Sequence, residues 1–255
     1  MNKLITRRKL ITTGLGVAAG ASGIAVAARI ANKYGLIPPD HGGVFGVGET
    51  LTYAAQRILT SRHSLAREFN RSDISRIAPV NGDPPKSETY ERLLHNGFAD
   101  WRLTVDGLVA RPSSFTLEEL KRLPSRTQIT LHACEMGWSF IAEWSGVPLK
   151  YLLTSVGILP QARYVVLLPL DPWWESIDMA DALHPQTLLA YSMNNEELSA
   201  PHGAPLRLRL PRQLGYKSVK YLSHIKIVDT VKNIGEGVGG SNSEGKGAHP
   251  WYAGM

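Results

Sequence analysis

The sequence predicts an α+β domain built from mixed β-sheets and short helices. Three observations point there. Apolar and polar residues alternate in segments 101–105, 206–210 and 221–228; short helical stretches lie between such segments, the clearest opened by a capping pattern at Thr116; and the spacing of the segments is too uneven for a regular βαβ repeat. The 255 residues are 43% hydrophobic and 20% charged, enough apolar material for one sizeable core or two small ones. That balance excludes a disordered tail protein, and the single cysteine excludes a disulfide scaffold. Solenoid and multi-span membrane architectures are excluded by the lack of repeats and of several long apolar runs.

Residues 1–31 read as a twin-arginine signal peptide or an N-terminal anchor. Thr6-Arg7-Arg8-Lys9-Leu10-Ile11 leads into a Gly/Ala-rich apolar stretch ending near Ala28, a charged n-region before an h-region with two arginines at the boundary. Ala25-Val26-Ala27 offers a small-residue cleavage site. Left uncut, Leu10 to Ala31 would span about 33 Å as a helix, enough to cross a bilayer. The expected location is periplasmic, either free or tethered to the inner membrane, with the twin-arginine export machinery as a partner. That route carries folded proteins, which suits a chain whose cofactor is inserted before export. The same residues hold five cations and no acid, so the rest of the chain carries a formal +1 of the total +6. A nearly neutral body without a groove-reading motif is not expected to bind nucleic acid.

Residues 32–90 are broken by Pro38-Pro39, Gly42-Gly43, Asn81-Gly82 and Pro84-Pro85 and read as an extended approach segment. The main domain follows over 91–230. Trp101, Leu103 and Val105 alternate with Arg102 and Thr104 up to an Asp106-Gly107 turn, the pattern of a half-buried strand. Thr116-Leu117-Glu118-Glu119 sets a hydroxyl three residues before a carboxylate and starts a short helix that Pro124 stops. Residues 127–134 form a strand delivering Cys134 to its C-terminal end, and Glu135, Gly137, Trp138, Ser139, Trp144 and Gly146 crowd the turn region after it. Residues 148–156 read as helical with Pro148 in the first turn, 163–168 as a buried strand, 178–183 as helical and 187–191 as extended. Leu206, Leu208 and Leu210 alternate with Arg207 and Arg209, and 221–228 alternates again, giving two half-exposed strands. Residues 231–255 form a Gly/Ser-rich C-terminal tail, whose stretch from Gly235 to Gly247 is expected to follow the surface.

Two constellations carry chemistry. Cys134 is either a small buried hydrophobe or a soft metal ligand, and the small residues and indoles around it suit a bulky planar ligand. His132, two residues earlier on the same face of the strand, reads as a base, a partner of the metal site, or a structural residue. A zinc site would need two more ligands, and His184 and His202 stand at no zinc-like spacing. The second constellation is basic: Arg207, Arg209, Arg212, Lys217, Lys220 and Lys226 occur between Ser199 and Val228 with no acid, beside Gly203 and Gly215. Guanidinium forks bind phosphate bidentately and glycine admits close backbone N–H groups, while a solvated basic face is the plainer reading. No Walker or dinucleotide glycine motif is present; Gly235 to Gly240 opens no helix.

Ala133-Cys134-Glu135-Met136-Gly137-Trp138-Ser139, followed by Trp144-Ser145-Gly146-Val147-Pro148-Leu149, resembles the molybdenum-ligating segment of the sulfite oxidase superfamily of molybdopterin enzymes. Ser176-Ile177-Asp178, His184-Pro185-Gln186-Thr187 and the stretch from His202-Gly203-Ala204-Pro205 to Ser218-Val219-Lys220 match in the same order, so the resemblance covers roughly residues 60–230. It implies the sulfite-oxidase-type fold and Mo-molybdopterin as cofactor, with Cys134 as the catalytic thiolate on molybdenum. It also implies that His202, Arg207, Ser218, Val219 and Lys220 contact the pterin and its phosphate, and that Arg67 and Phe69 lie at an early cofactor-binding turn. Sulfite-oxidising members carry arginines just after the cysteine, whereas Glu135-Met136-Gly137-Trp138 follows here. That segment is closer to the periplasmic methionine sulfoxide reductase catalytic subunits, although Pro169 stands where the family has a cofactor-binding threonine.

The resemblance implies two-electron oxygen-atom transfer on a small-molecule substrate. With no Cys-x-x-Cys-His haem motif and no immunoglobulin-like domain following, it implies a separate redox partner, with a membrane b-type cytochrome as the family-level candidate. Trp138, Trp173 and Trp174 are candidates for a substrate funnel, and Asp171 and Glu175 for receiving a cationic substrate or partner. Two rival readings are a cysteine-nucleophile hydrolase or transferase using Cys134 with His132 or His202, and a non-catalytic pterin-binding module.

Overall fold

A computed structural model describes residues 21–43, 46–59, 64–244 and 249–255; the Arg7-Arg8 motif and most of the apolar leader lie outside them. Ten strands and six short helices are present among these residues, in the α+β arrangement expected. The helices are α1 (Ala21–Lys33), α2 (Val47–Leu59), α3 (Glu88–His95), α4 (Leu117–Arg122), α5 (Leu149–Val156) and α6 (Met179–Ala182). The strands are β1 (Arg102–Gly107), β2 (Ser113–Thr116), β3 (Arg126–Ala133), β4 (Ser139–Pro148), β5 (Tyr164–Pro169), β6 (Glu175–Asp178), β7 (Leu188–Met193), β8 (Glu196–Glu197), β9 (Arg207–Arg209) and β10 (Leu222–Val228). One sheet runs β2-β1-β10-β5-β6, with β1 and β10 parallel and the other pairs antiparallel. The other runs β3-β4-β7-β8, with β9 added on β7.

Local chemistry accounts for the short helices. In α4, Thr116 Oγ1 accepts from Glu119 N–H while the Glu119 carboxylate accepts from Thr116 N–H, the reciprocal cap the spacing predicts. In α5, Leu149, Leu152, Leu153 and Val156 recur at helical spacing and are all buried, and Gly157 ends the helix in the left-handed region at φ 76°. Pro148 differs from expectation: it closes β4 and caps α5 from outside the first turn.

The main core joins both sheets through Leu103 and Val105 of β1, Val165 and Leu167 of β5, Ile225 and Ile227 of β10, Leu189 and Leu208 of the second sheet, and the apolar face of α5. The alternate residues of β5, Tyr164 and Val166, enter a second cluster with Tyr53 of α2, Trp174, Trp251 and Tyr252. Strand β5 is therefore apolar on both sides, which explains its unbroken hydrophobic run.

Several expectations are corrected. Residues 32–90 are not extended throughout, since α2 and the first turn of α3 form within them. The turn after Cys134 is much shorter than expected, because residues 139–146 pair along the whole of β3 and place Trp144 and Gly146 well inside β4. The stretch from Gly235 does not simply follow the surface: Gly239 and Gly240 are buried, and Gly240 bridges to Glu175. Strand β9 is fully buried, not half-exposed, because Trp144 of β4 lies beneath its arginines at 5.1 Å from Arg207 and 5.5 Å from Arg209.

Candidate active site

Strands β3 and β4 form a hairpin in register from Ala133 opposite Ser139 to Arg126 opposite Gly146. Its five-residue loop starts at Cys134. Cys134 N–H donates to Trp138 O at 2.8 Å, Gly137 N–H returns to Cys134 O at 3.1 Å, and Gly137 takes φ 89°, a conformation glycine adopts without steric cost. The thiol is buried and donates to the Glu135 carboxylate at 3.3 Å; Met136 N–H at 3.5 Å and Asn81 Nδ2 at 4.0 Å approach the sulfur.

The sulfur faces a cavity of about 320 Å³, within the size range of small-ligand sites. His202, Arg207, Ser218, Val219 and Lys220 line the same cavity, so five of the expected cofactor contacts converge with Cys134 from segments 68 or more residues away in sequence. Arg207 is nearly fully buried; its Nη1 donates to His202 O at 2.9 Å and its Nη2 to Ser218 O at 3.0 Å. Lys220 Nζ donates to Asn81 O at 2.7 Å and Pro201 O at 3.2 Å. His202 bonds Ser199 Oγ and donates from Nε2 to Ala78 O at 3.3 Å.

Gly203 and Gly215 serve a different purpose from the one expected. A Cβ on Gly203 would meet Lys220 Cβ at 2.9 Å, and one on Gly215 would meet His132 Nε2 at 2.8 Å. These glycines let the protein's own segments approach one another.

The remaining candidates divide by position. Arg67 and Phe69 stay off the cavity wall: Glu68 bridges to Thr130 of β3, and the Arg67 guanidinium lies 4.7 Å from the Phe69 ring. His184 donates from Nε2 to Ser64 O and accepts from Gln186 N–H, a structural role, and no group of three potential metal-ligating side chains is found among the described residues. Glu175 reaches the wall, but it is not free to receive a cation, since its carboxylate accepts from Lys217 Nζ at 2.5 Å and from the backbone and side chain of Asn242. Trp138, Trp173 and Trp174 all line the cavity, with Trp173 the most open at 56% exposure. Pro169 lines it too and offers no hydroxyl. Asn81, absent from the sequence-based set, touches both the sulfur and, through its carbonyl, Lys220; its Asn-Gly signal reads only as a turn.

The electrostatics suit an anion with a soft metal beside it. Among the described residues no carboxylate lies within ion-pair distance of Arg207 or Arg209, and Arg207 Nε, Arg209 Nε and Nη1, and His132 Nδ1 are buried without a partner. Burial holds the Arg207 guanidinium down to about 10, and burial with Arg207 nearby holds Arg209 to about 9. Burial, with Arg207 close, lowers Lys220 to about 8. His132 is pushed well below the ordinary histidine range by burial and by the two arginines, so its ring is neutral. Arg207 and His132 line the cavity, and their unpaired donors are what a phosphate-bearing cofactor would satisfy, whereas Arg209 stays behind the wall. Burial and Glu135 raise the Cys134 thiol, which weakens it as a free nucleophile, and among the described residues no histidine hydrogen-bonds the sulfur; a bound metal displaces a thiol proton outright. The residues present fit a molybdenum–pterin group with Cys134 as the protein ligand.

Comparison with known proteins identifies a molybdopterin-binding domain. The family described as "Oxidoreductase molybdopterin binding domain" matches residues 92–234. Subunit YedZ1 of Azospira oryzae is 40% identical over 66% of this chain and 63% of its own. The protein-methionine-sulfoxide reductase catalytic subunit MsrP of Xanthomonas axonopodis pv. citri is 32% identical over 58% of this chain and 49% of its own. The chain thus spans less than two thirds of the length of either relative. Among solved structures, the sulfane dehydrogenase SoxCD of Paracoccus pantotrophus aligns with a TM-score of 0.49 and 29% identity over 52% of this chain and 39% of that chain. With more than half of its residues inside the family match, this chain belongs to the oxidoreductase molybdopterin-binding domain family.

Proposed function

We propose that this protein is an exported molybdopterin-dependent oxidoreductase that removes an oxygen atom from a small S-oxide substrate, using electrons from a separate partner. The observation that carries the proposal is the convergence of the Cys134 sulfur and the acid-free, buried Arg207 on one cavity. When bound, the molybdenum pterin supplies two-electron oxygen-atom transfer. Cys134 would provide the thiolate to the metal, fixed in place by the hairpin hydrogen bond to Trp138. Arg207 and Lys220 would hold the phosphate end, with Ser218 and Val219 along the wall. Trp138 stacks on Phe140 at an interplanar angle of 21°, closing one side of the cavity to water.

The hairpin loop supports an uncharged substrate over sulfite. It contributes Glu135 and no cation, so an anion entering there meets repulsion at the metal. The names of the MsrP relatives support an S-oxide in particular. The Arg7-Arg8 leader supports twin-arginine export to the periplasm, and a membrane b-type cytochrome is the proposed electron donor.

Cys134→Ser tests the assignment. Expressed in a molybdenum-competent host, it should lose most of its bound molybdenum and all S-oxide reduction driven by an artificial electron donor. Normal turnover in the variant, or a metal-free wild-type protein with hydrolytic activity blocked by thiol alkylation, would overturn the proposal.

A further inference from the structure

Helix α2 has its polarity reversed. Val47, Leu51, Ala55 and Leu59, each four residues from the last, are exposed, Val47 at 74% and both leucines at 64%, with Gly48 and Thr52 beside them. No charged residue lies in that stripe. Three polar side chains turn inward: Arg57 pairs with Asp178 at 2.8 Å and Asp181 at 2.5 Å, Tyr53 Oη donates to Asp178 at 2.8 Å, and Gln56 accepts from Tyr252 Oη at 2.6 Å. Rolling the helix to bury its leucines would leave two buried aspartates without their cation, so the network locks the apolar face outward.

We infer that this stripe is seated in the surface of a lipid bilayer. Residues 10–28 form a run without a charged residue, preceded by Arg7-Arg8-Lys9, and the last part of that run is α1. The end of α1 is fastened beside α2, because Tyr53 Oη also donates to Gly35 O at 3.1 Å and Arg163 Nη2 donates to Asn32 O at 3.0 Å. Val26 and Tyr34 on the connecting segment are exposed as well, with the exposed cations Arg29 and Lys33 between them. An uncharged, aliphatic face one short link from such a run matches acyl chains, with no charge to pair with a protein partner. The inference rests on residues 10–28 acting as an anchor.

The full chain in phosphatidylcholine and phosphatidylglycerol vesicles tests it, with Leu51→Trp and, on the exposed face of α5, Tyr151→Trp as the control. Fluorescence is read as the difference from the parent chain. The added emission of Leu51→Trp should shift to the blue and be lost on acyl-brominated lipid, while that of Tyr151→Trp should remain. If the chain sediments with vesicles but the Leu51→Trp emission stays quenchable by aqueous iodide, the stripe proposal fails and the anchor stands. If the chain does not sediment with vesicles, both fail. A blue shift that follows protein concentration and ignores brominated lipid would assign the stripe to a second copy and overturn the proposal.

Discussion

Two sets of buried cations rest on different aromatic groups, Arg57 and Lys217 on Tyr53, Tyr252 and Trp251, Arg207 and Arg209 on Trp144, and they are built differently. Lys217 is fully buried against Glu175, and Arg57 is closed between Asp178 and Asp181, with Arg212 at 3.9 Å from Asp181. Arg207 and Arg209 are equally buried, yet they rest on the face of Trp144 and donate only to backbone and hydroxyl oxygens. A buried cation that the protein neutralises fastens the fold. One that it leaves without an acid is poised for a ligand's acid, because a charge so expensive to desolvate needs a counter-charge from somewhere.

The strongest test of that contrast is Lys217→Met, which strands the Glu175 carboxylate in the interior. It should cost about 3–5 kcal/mol of stability, read from urea unfolding, with or without cofactor. Arg207→Met should behave in the opposite way. The cofactor-free protein should keep its stability, but excess phosphate, which should stabilise the parent, should lose about 1.5–3 kcal/mol of that effect. Equal destabilisation by both substitutions would erase the distinction.

Two pH experiments sharpen it with smaller effects. His184 is held at about 4 by burial, below its unfolded value of 6.5, so the unfolded chain takes up a proton in that interval that the folded chain does not. The His184 contribution should be complete above pH 6.5 and be lost as pH drops toward 4, so the urea midpoint of His184→Gln should fall less steeply over that interval than the parent's, the remaining slope belonging to groups such as His132. Lys220, lowered to about 8, loses its charge as pH rises through that value, while Arg207 at about 10 keeps its own. Phosphate affinity should therefore weaken between pH 7 and 9, by less than about tenfold, and Lys220→Met should bind weakly with a flat profile.

Much of the site is legible in short stretches of sequence. Cys134 at the end of a strand, Arg207 and Arg209 on one face, the α4 cap and the α5 stripe all follow from spacing within ten residues, where backbone geometry alone sets which side chains coincide. Strand β4 is less legible, because its small residues imitate a turn and only pairing with β3 and β7 extends them. Helix α2 is hidden for a related reason: its polar residues serve partners more than 120 positions away.

The sequence by itself determined the α+β class, the cysteine at a strand end and the presence of a basic stretch without acids. Only the tertiary structure decided which of those cations are neutralised, since Glu175 lies 42 residues from Lys217 and Asp178 lies 121 from Arg57. Burial, not proximity along the chain, separates structural charges from those left for a ligand. A charge's free energy depends on the dielectric and the donors around it, and those are set by chain segments that meet only when folded.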